Sequence, residues 1–338
     1  MPEENEFSPT VSVIVPVKNG AEHVRELLAS LMRLDYAKDK LELIVVDGRS
    51  TDGTRDIVAQ YPVNLLLEDR PGLNAARNTG IKRSRGEILV FTDVDCIVPE
   101  DWVKKIVQAF QDSGVGCVGG SVSGYYDNFL SRYSDESLIP VLRSFKTRQV
   151  LTAVKPPEKY PVGCNMAVSQ DALKKAGVFD ERIKYGFDED ELAERICESG
   201  YRMVLDNEVL VKHKHRPTLS ELLKQNFNYG RGVGPLLQAK GLATAFARWI
   251  LLIILSCLIW GSLILSVALY ALFLNSLMSE ITLLVFILLP PIGLMAFYAY
   301  ETARRKDNGY VRMIAYPPVD IARLLAFVLG GIYQLLRS

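Results

Sequence analysis

Asp93-Val94-Asp95 ends the apolar run Ile88-Leu89-Val90-Phe91-Thr92. Two carboxylates one residue apart at the end of a strand present hard oxygen ligands. That suits Mg²⁺ or Mn²⁺ held together with a substrate diphosphate. Ligands of open α/β sheets gather outside the carboxyl ends of strands, so the location fits too. Asp-x-Asp is common in loops, and the triplet carries weight only with its surroundings. A second acidic group, Asp188-Glu189-Asp190-Glu191, opens a helix continued by Leu192, Ala193, Arg195 and Ile196 and ended by Gly200. Acids in a first turn complement the helix dipole. Four in a row also repel one another, so at least one is expected to hold its proton above the usual carboxylate range. A third group, Val211-Lys212-His213-Lys214-His215-Arg216-Pro217, contains two of the three histidines. Alternation puts both rings on one side of a strand. One of them can complete a metal shell or touch a diphosphate, and Arg216 can neutralise a leaving phosphate.

The elements that must position these residues read as β/α alternation over residues 10–235. Continuous apolar strands are expected at 11–17, 41–47, 63–68 and 87–93, and helices at 21–34, 54–60 and 72–84. Such strands separated by helices predict a parallel sheet covered on both faces. Asp47 closes the second strand, where a carboxylate can accept hydrogen bonds from a base or a sugar hydroxyl. The Ser, Asp and Gly after it are ordinary turn residues. Arg77 is a candidate for bidentate phosphate binding, with a solvated helix face as the plainer alternative. No Gly-x-Gly-x-x-Gly opens any helix, so a dinucleotide site has no support.

With these residues in view, the chain resembles the family-2 glycosyltransferases. VSVIVPVKNG, VVDGRSTDGT, GLNAARNTGI, GEILVFTDVDC and the acidic cluster before Leu192 and Arg195 carry the resemblance, in that order, over about residues 10–235. It implies a GT-A fold, α/β with a mostly parallel central sheet, and inverting, metal-dependent transfer from a nucleotide-diphosphate sugar. Pro16, Asn19 and Asp47 would line the base and ribose pocket, and Arg77 would lie near the diphosphate or the base. Asp93 would face ribose and metal, and Asp95 would bind the metal directly. Many relatives have two acids where this chain has Asp47-Gly48. Asn165, in Gly163-Cys164-Asn165-Met166, would border the sugar, although the segment also reads as a bend in a strand. The base would be the second residue of an acidic pair. Counting back from Leu192 favours Asp188-Glu189, and residue identity favours Glu189-Asp190. Asp190 is preferred, then Glu189.

The rest of the composition sets the scene. Formal net charge is +0, which gives no bulk electrostatic case for nucleic acid. Five scattered cysteines show no zinc spacing and read as reduced packing residues. The polar, acidic start has no signal-peptide character. From Trp249 to Ser279 no residue is charged, more than the ~20 residues needed to cross a bilayer. Ile281–Tyr300 forms a second uncharged run. Lys240, Arg248, Arg304, Arg305, Lys306 and Arg312 flank these runs while the connector near Asn275 has no Lys or Arg, which places the soluble part in the cytoplasm. A third apolar segment, about Val319–Leu335, carries Asp320 and Arg323 and is expected to lie in the interface rather than to span.

The resulting division is a polar tail at 1–9 and a catalytic domain at 10–217. An amphipathic interface helix follows at 218–243, opened by the capping box Thr218–Glu221. Two membrane helices occupy 244–300, and a short span or interfacial helix 313–336. The Arg-Trp of polymer-making relatives is absent at Asn228-Tyr229, which argues against a processive synthase. The expected activity is a membrane-anchored glycosyl transfer to a polyprenyl-phosphate-linked or other membrane acceptor. The alternatives are transfer directly to the lipid phosphate and a non-catalytic sugar-nucleotide binder. An aspartyl-phosphate phosphohydrolase, using Asp93 as nucleophile, would leave the earlier motifs unexplained.

Overall fold

A computed structural model describes residues 7–138, 141–156, 158–274, 277–305 and 309–337. The first six residues, Asn275 and Lys306, named above, lie outside these. The chain begins β1 (Val11–Val17), α1 (Ala21–Met32), β2 (Leu41–Asp47), α2 (Thr54–Val58), β3 (Asn64–Leu67), α3 (Leu73–Arg83) and β4 (Ile88–Phe91). It continues with β5 (Cys96–Ile97), α4 (Trp102–Ala109), β6 (Val115–Gly124), α5 (Phe129–Glu136), β7 (Gln149–Leu151), β8 (Met166–Ser169), α6 (Gln170–Ala176), α7 (Asp188–Glu198) and β9 (Arg202–His213). Four helices follow: α8 (Leu219–Lys240), α9 (Ala245–Leu274), α10 (Leu277–Arg305) and α11 (Tyr310–Leu335).

The sheet runs β3-β2-β1-β4-β8-β6-β9-β5, with β7 on β9. Its first four strands are parallel, as continuous apolar runs demand: every residue of β1 and of β4 is buried. Beyond β4 the sheet is mixed, because β8 enters antiparallel between β4 and β6. The expectation of a mostly parallel sheet therefore holds for one half only. Short β8 is not joined to β4 by a single β-helix-β unit, because β5, α4, β6, α5 and β7 intervene in the chain, so nothing obliges it to run parallel. Helix α3 packs close on β1: a methyl group at Gly80 would come within 2.4 Å of Ile14 Cγ2. Pro16 sits in β1 past Ile14, where pairing with β4 has ended. Four of the five cysteines are buried and all are free thiols.

Helices α9, α10 and α11 are each long and apolar enough to cross a membrane. Helix α8 starts as its sequence suggests, with the Thr218 hydroxyl accepting from Glu221 N at 3.2 Å. It packs on α11 by direct backbone contact. A methyl group at Gly230 would fall 1.9 Å from the Phe327 carbonyl oxygen, and one at Gly330 2.0 Å from that of Phe227. A polar knot ties the same helices to the sheet domain: Tyr133 of α5 donates to Asp320 of α11 (2.6 Å), and Arg323 donates to Tyr133 (3.1 Å) and Asn226 of α8 (3.2 Å).

Candidate active site

The segments that follow β1, β3 and β4 face a cleft of about 1460 Å³, closed on its far side by the start of α7 and by α8. Arg77, Asp93, Asp188, Glu189 and Arg216 line it, joined by Lys18, His23, Lys214, His215 and Tyr229. Asp93 and Asp95 lie in the turn between β4 and β5, closed by Cys96 N donating to the Asp93 carbonyl at 3.1 Å. Asp95 is 7% exposed, and its Oδ1 stands 3.2 Å from His213 Nε2. That approach lacks the direction of a hydrogen bond, and among the described residues Asp95 Oδ1 receives none. Arg216 reaches Asp95 Oδ2 at 3.8 Å. Burial alone would raise the Asp95 carboxyl, but His213 and Arg216 outweigh it and hold it at about 2. Burial alone would lower His213, but Asp95 outweighs it and pushes the imidazole up to about 9.

An orphaned buried carboxylate oxygen facing an imidazole nitrogen is what a divalent ion would relieve. Asp95, Cys96 and His213 bring ligand atoms within 4.8 Å of one another. The oxygen and nitrogen donors fit Mn²⁺ or Mg²⁺, while the thiol suits softer metals.

Helix α7 is delivered by a strained turn. Tyr185 (φ 69), Gly186 (φ 117) and Phe187 (φ 68) are all left-handed, at a cost of ~1–3 kcal/mol for each non-glycine residue. The turn aims the four acids differently. Asp188 is ion-paired with Arg77, whose other nitrogen stands 3.7 Å from Asp93. Glycine at 163 makes room for that guanidinium: a methyl group there would lie 2.5 Å from Arg77 Nη2. Glu191 is held by Arg195 at 2.6 Å and by Lys240 at 2.6 Å. Glu189 faces the cleft; burial, then the neighbouring Asp188, push it up to about 8. Asp190 is turned away from the cleft, and burial, then Glu189 and Asp188, push it well above the ordinary range.

Asp190 lines a second cavity, of about 410 Å³, which Glu189 and Tyr229 share with the cleft. Its remaining wall is largely apolar: Val162, Phe187, Phe246, Trp249, Ile253, Leu294, Leu324 and Phe327, with Arg143 and Tyr160 near Asp190. Sequence reasoning ranked Asp190 above Glu189. By position Glu189 is the better candidate, because it alone of the four touches both spaces.

Other expected residues stand elsewhere. Asn19 (φ 52) accepts from Thr51 N at 2.9 Å, and Asp47 accepts from Ser50 N at 3.1 Å, so both brace the loop after β2. Asn165 does not line the cleft. Its amide bonds Trp102 Nε1 (2.9 Å), Ser121 O (2.8 Å) and Val209 O (2.9 Å), which spends both ends on the scaffold. Glu68 was missed: it is 4% exposed, and its Oε2 lies 3.5 Å from where a side chain would start at Gly48. It supplies a second acid beside Asp47 from the next strand. Its position at the end of VNLLLE was the available signal. Asp135, which accepts from His215 Nε2 at 2.8 Å, had no local signal at all.

The sequence pattern of Glycosyl transferase family 2 matches residues 12–177. Glycosyltransferase AglE of Haloferax volcanii is 35% identical over 233 residues, covering 66% of this chain and 73% of that protein. An uncharacterised glycosyltransferase of Rickettsia typhi is 29% identical, covering 62% of this chain and 65% of its own length. Among solved structures, the mannosyltransferase PcManGT from Pyrobaculum calidifontis, in complex with GDP-Man and Mn²⁺, superposes with a TM-score of 0.61 at 22% identity. That match covers 97% of this chain and 88% of the other, and it places both in one fold.

Proposed function

The chain belongs to glycosyl transferase family 2, and on that premise we propose that it moves a sugar, with inversion, from a nucleotide-diphosphate donor to a hydroxyl of a polyprenyl-phosphate-linked acceptor. One observation carries this reading. Glu189 stands where a polar cleft rich in Arg, Lys and Asp meets an apolar cavity walled by α9, α10 and α11.

Inversion needs a base on the face of the sugar opposite the leaving group. Glu189, its proton affinity raised by burial, is assigned that role: it takes the acceptor hydroxyl proton as the oxygen attacks the anomeric carbon. Arg77 and Arg216 lie on the donor side, where the diphosphate gains charge as it departs. Asp188 orients Arg77. Asp95 and His213, with Asp93 adjacent, would hold Mn²⁺ or Mg²⁺. When bound, the ion neutralises the leaving diphosphate. Pro16, Asn19, Asp47 and Glu68 are assigned to the base and ribose end.

The acceptor is read as membrane-borne because the cavity wall is largely apolar, which suits a hydrocarbon chain better than a free sugar. A hydroxyl is favoured over the lipid phosphate itself, since a hydroxyl needs a base to take its proton and Glu189 stands at the meeting of the two spaces. Helices α9 and α10 are assigned as spans, with the sheet domain in the cytoplasm by the flanking Lys and Arg. Helix α11 is assigned to the interface, because its middle is bonded to α5 and α8.

The test is nucleotide release from a panel of UDP- and GDP-sugars, using the purified full chain, lipid extract and Mn²⁺, with Asp95→Ala as control. Release that needs one donor, lipid and metal, and is lost in the variant, supports the reading. Donor binding without release across extracts from several sources would overturn it in favour of a non-catalytic binder.

A further inference from the structure

His213 does not stand alone behind Asp95. Its Nδ1 lies 3.2 Å from His215 Nδ1, and His215 Nε2 lies 2.8 Å from Asp135 Oδ1. Asp135 is itself fixed: its Oδ2 accepts from Gly124 N at 2.9 Å. Both rings are buried, 5% and 4% exposed, with centroids 5.1 Å apart. The backbone holds them there too, since Gly124 pairs with His213 across β6 and β9, and Tyr125 N donates to the His213 carbonyl at 2.9 Å.

Only one arrangement of protons satisfies this chain and leaves His213 able to bind an ion. A carboxylate only accepts, so His215 Nε2 carries the hydrogen. A neutral His215 then offers a bare Nδ1, which must receive a hydrogen from His213 Nδ1. The lone pair of His213 is thereby confined to Nε2, on the side of Asp95. The other tautomer would turn the lone pair toward His215 and a hydrogen toward the ion.

We propose that His215 and Asp135 are positioning residues for the metal ligand, setting the tautomer and ring orientation of His213 through two hydrogen bonds in series. The proposal rests on the assignment of Asp95 and His213 as metal ligands. The anchor is rigid for a further reason. Asp135 lies on α5, two residues from Tyr133, which is 0% exposed and bonded to Asp320 and Arg323 of α11. Partners of this kind typically affect metal affinity by about 10–100-fold.

The experiment measures Mn²⁺ binding to the purified full chain at constant pH, by the electron paramagnetic resonance of the free ion, with thermal unfolding run in parallel. His215→Phe keeps a ring and removes the acceptor. Asp135→Ala removes the far anchor. Each is expected to weaken Mn²⁺ binding about 10–100-fold. The double variant should be no weaker than His215→Phe, because the bonds act in series. His215→Gln, which offers an acceptor oxygen, should recover part of the loss. Wild-type affinity in a folded His215→Phe, with Asp95→Ala binding nothing, would overturn this proposal alone. Equal failure of wild type and Asp95→Ala to bind would overturn the metal assignment and the proposal with it. Should His215→Phe not fold, Asp135→Ala decides on the same criterion.

Discussion

Arg77 and Asp188, 111 residues apart in sequence, form an ion pair with side chains only 3% and 4% exposed. The pair joins α3, on the donor side, to the first residue of α7. It also removes Asp188 from competition for the role of base, since its carboxylate is committed.

Breaking that pair from one side should be expensive. Arg77→Ala leaves Asp188 buried without its partner, a loss of about 3–5 kcal/mol. Arg77→Met with Asp188→Leu should recover most of it, because neither charge then remains to be solvated. Denaturant midpoints of the three variants in one detergent would measure this. Equal midpoints for Arg77→Ala and wild type would contradict it.

Activity should follow the ionisation of Glu189. The base form is the carboxylate, and the pKa is about 8. The rate should therefore rise with pH up to about that value, roughly tenfold per unit well below it. Glu189→Gln should lower turnover about 10²–10⁴-fold while leaving donor affinity near wild type. A pH profile that kept its acid limb in the Gln variant would assign the limb to another group.

Asp190 should matter for stability more than for turnover. Its folded pKa is raised by burial. The folded state thus holds a proton that the unfolded chain releases near pH 4, and stability falls as pH rises from there toward the folded value. Asp190→Asn removes this term, so its unfolding temperature should decline less between pH 5 and 8 than that of wild type. Turnover at pH 8 should stay within about tenfold, well short of the loss expected for a base. A collapse of activity equal to that of Glu189→Gln would restore Asp190 as the base.

Filling the apolar cavity should separate the two substrates. Leu294 lines it and lies far along the chain from every donor-side residue. Leu294→Trp should raise KM for the lipid acceptor and leave KM for the sugar nucleotide unchanged. Parallel increases in both would mean that the cavity does not serve the acceptor.

Much of this was readable in advance wherever the signal is local. Strands β1, β2 and β4 announce themselves as unbroken apolar runs, and the acids of α7 stand directly before its apolar stripe. What the sequence concealed depends on contacts between distant residues. The reversed direction of β8 follows from chain routing that periodicity does not record. Asn165 looked like a sugar contact because nothing nearby reveals that Trp102, Ser121 and Val209 consume its amide. Asp190 outranked Glu189 on residue type, whereas the turn at Tyr185–Phe187 decides which of them meets the cleft. Asp135 carries no motif, and only the fold brings it to His215.

The close backbone approach of Gly230 to Phe327 and of Gly330 to Phe227 leaves no thickness for a lubricating layer of side chains between α8 and α11. The sheet domain is thus mounted on its C-terminal helices instead of swinging from them on a tether. On the proposed interfacial placement of α11, the height of Glu189 above the hydrocarbon becomes a constant of the molecule. Acceptors would then be sorted by stand-off: a hydroxyl too close to the lipid, or too many sugars away from it, misses the carboxylate however well the rest of the molecule binds.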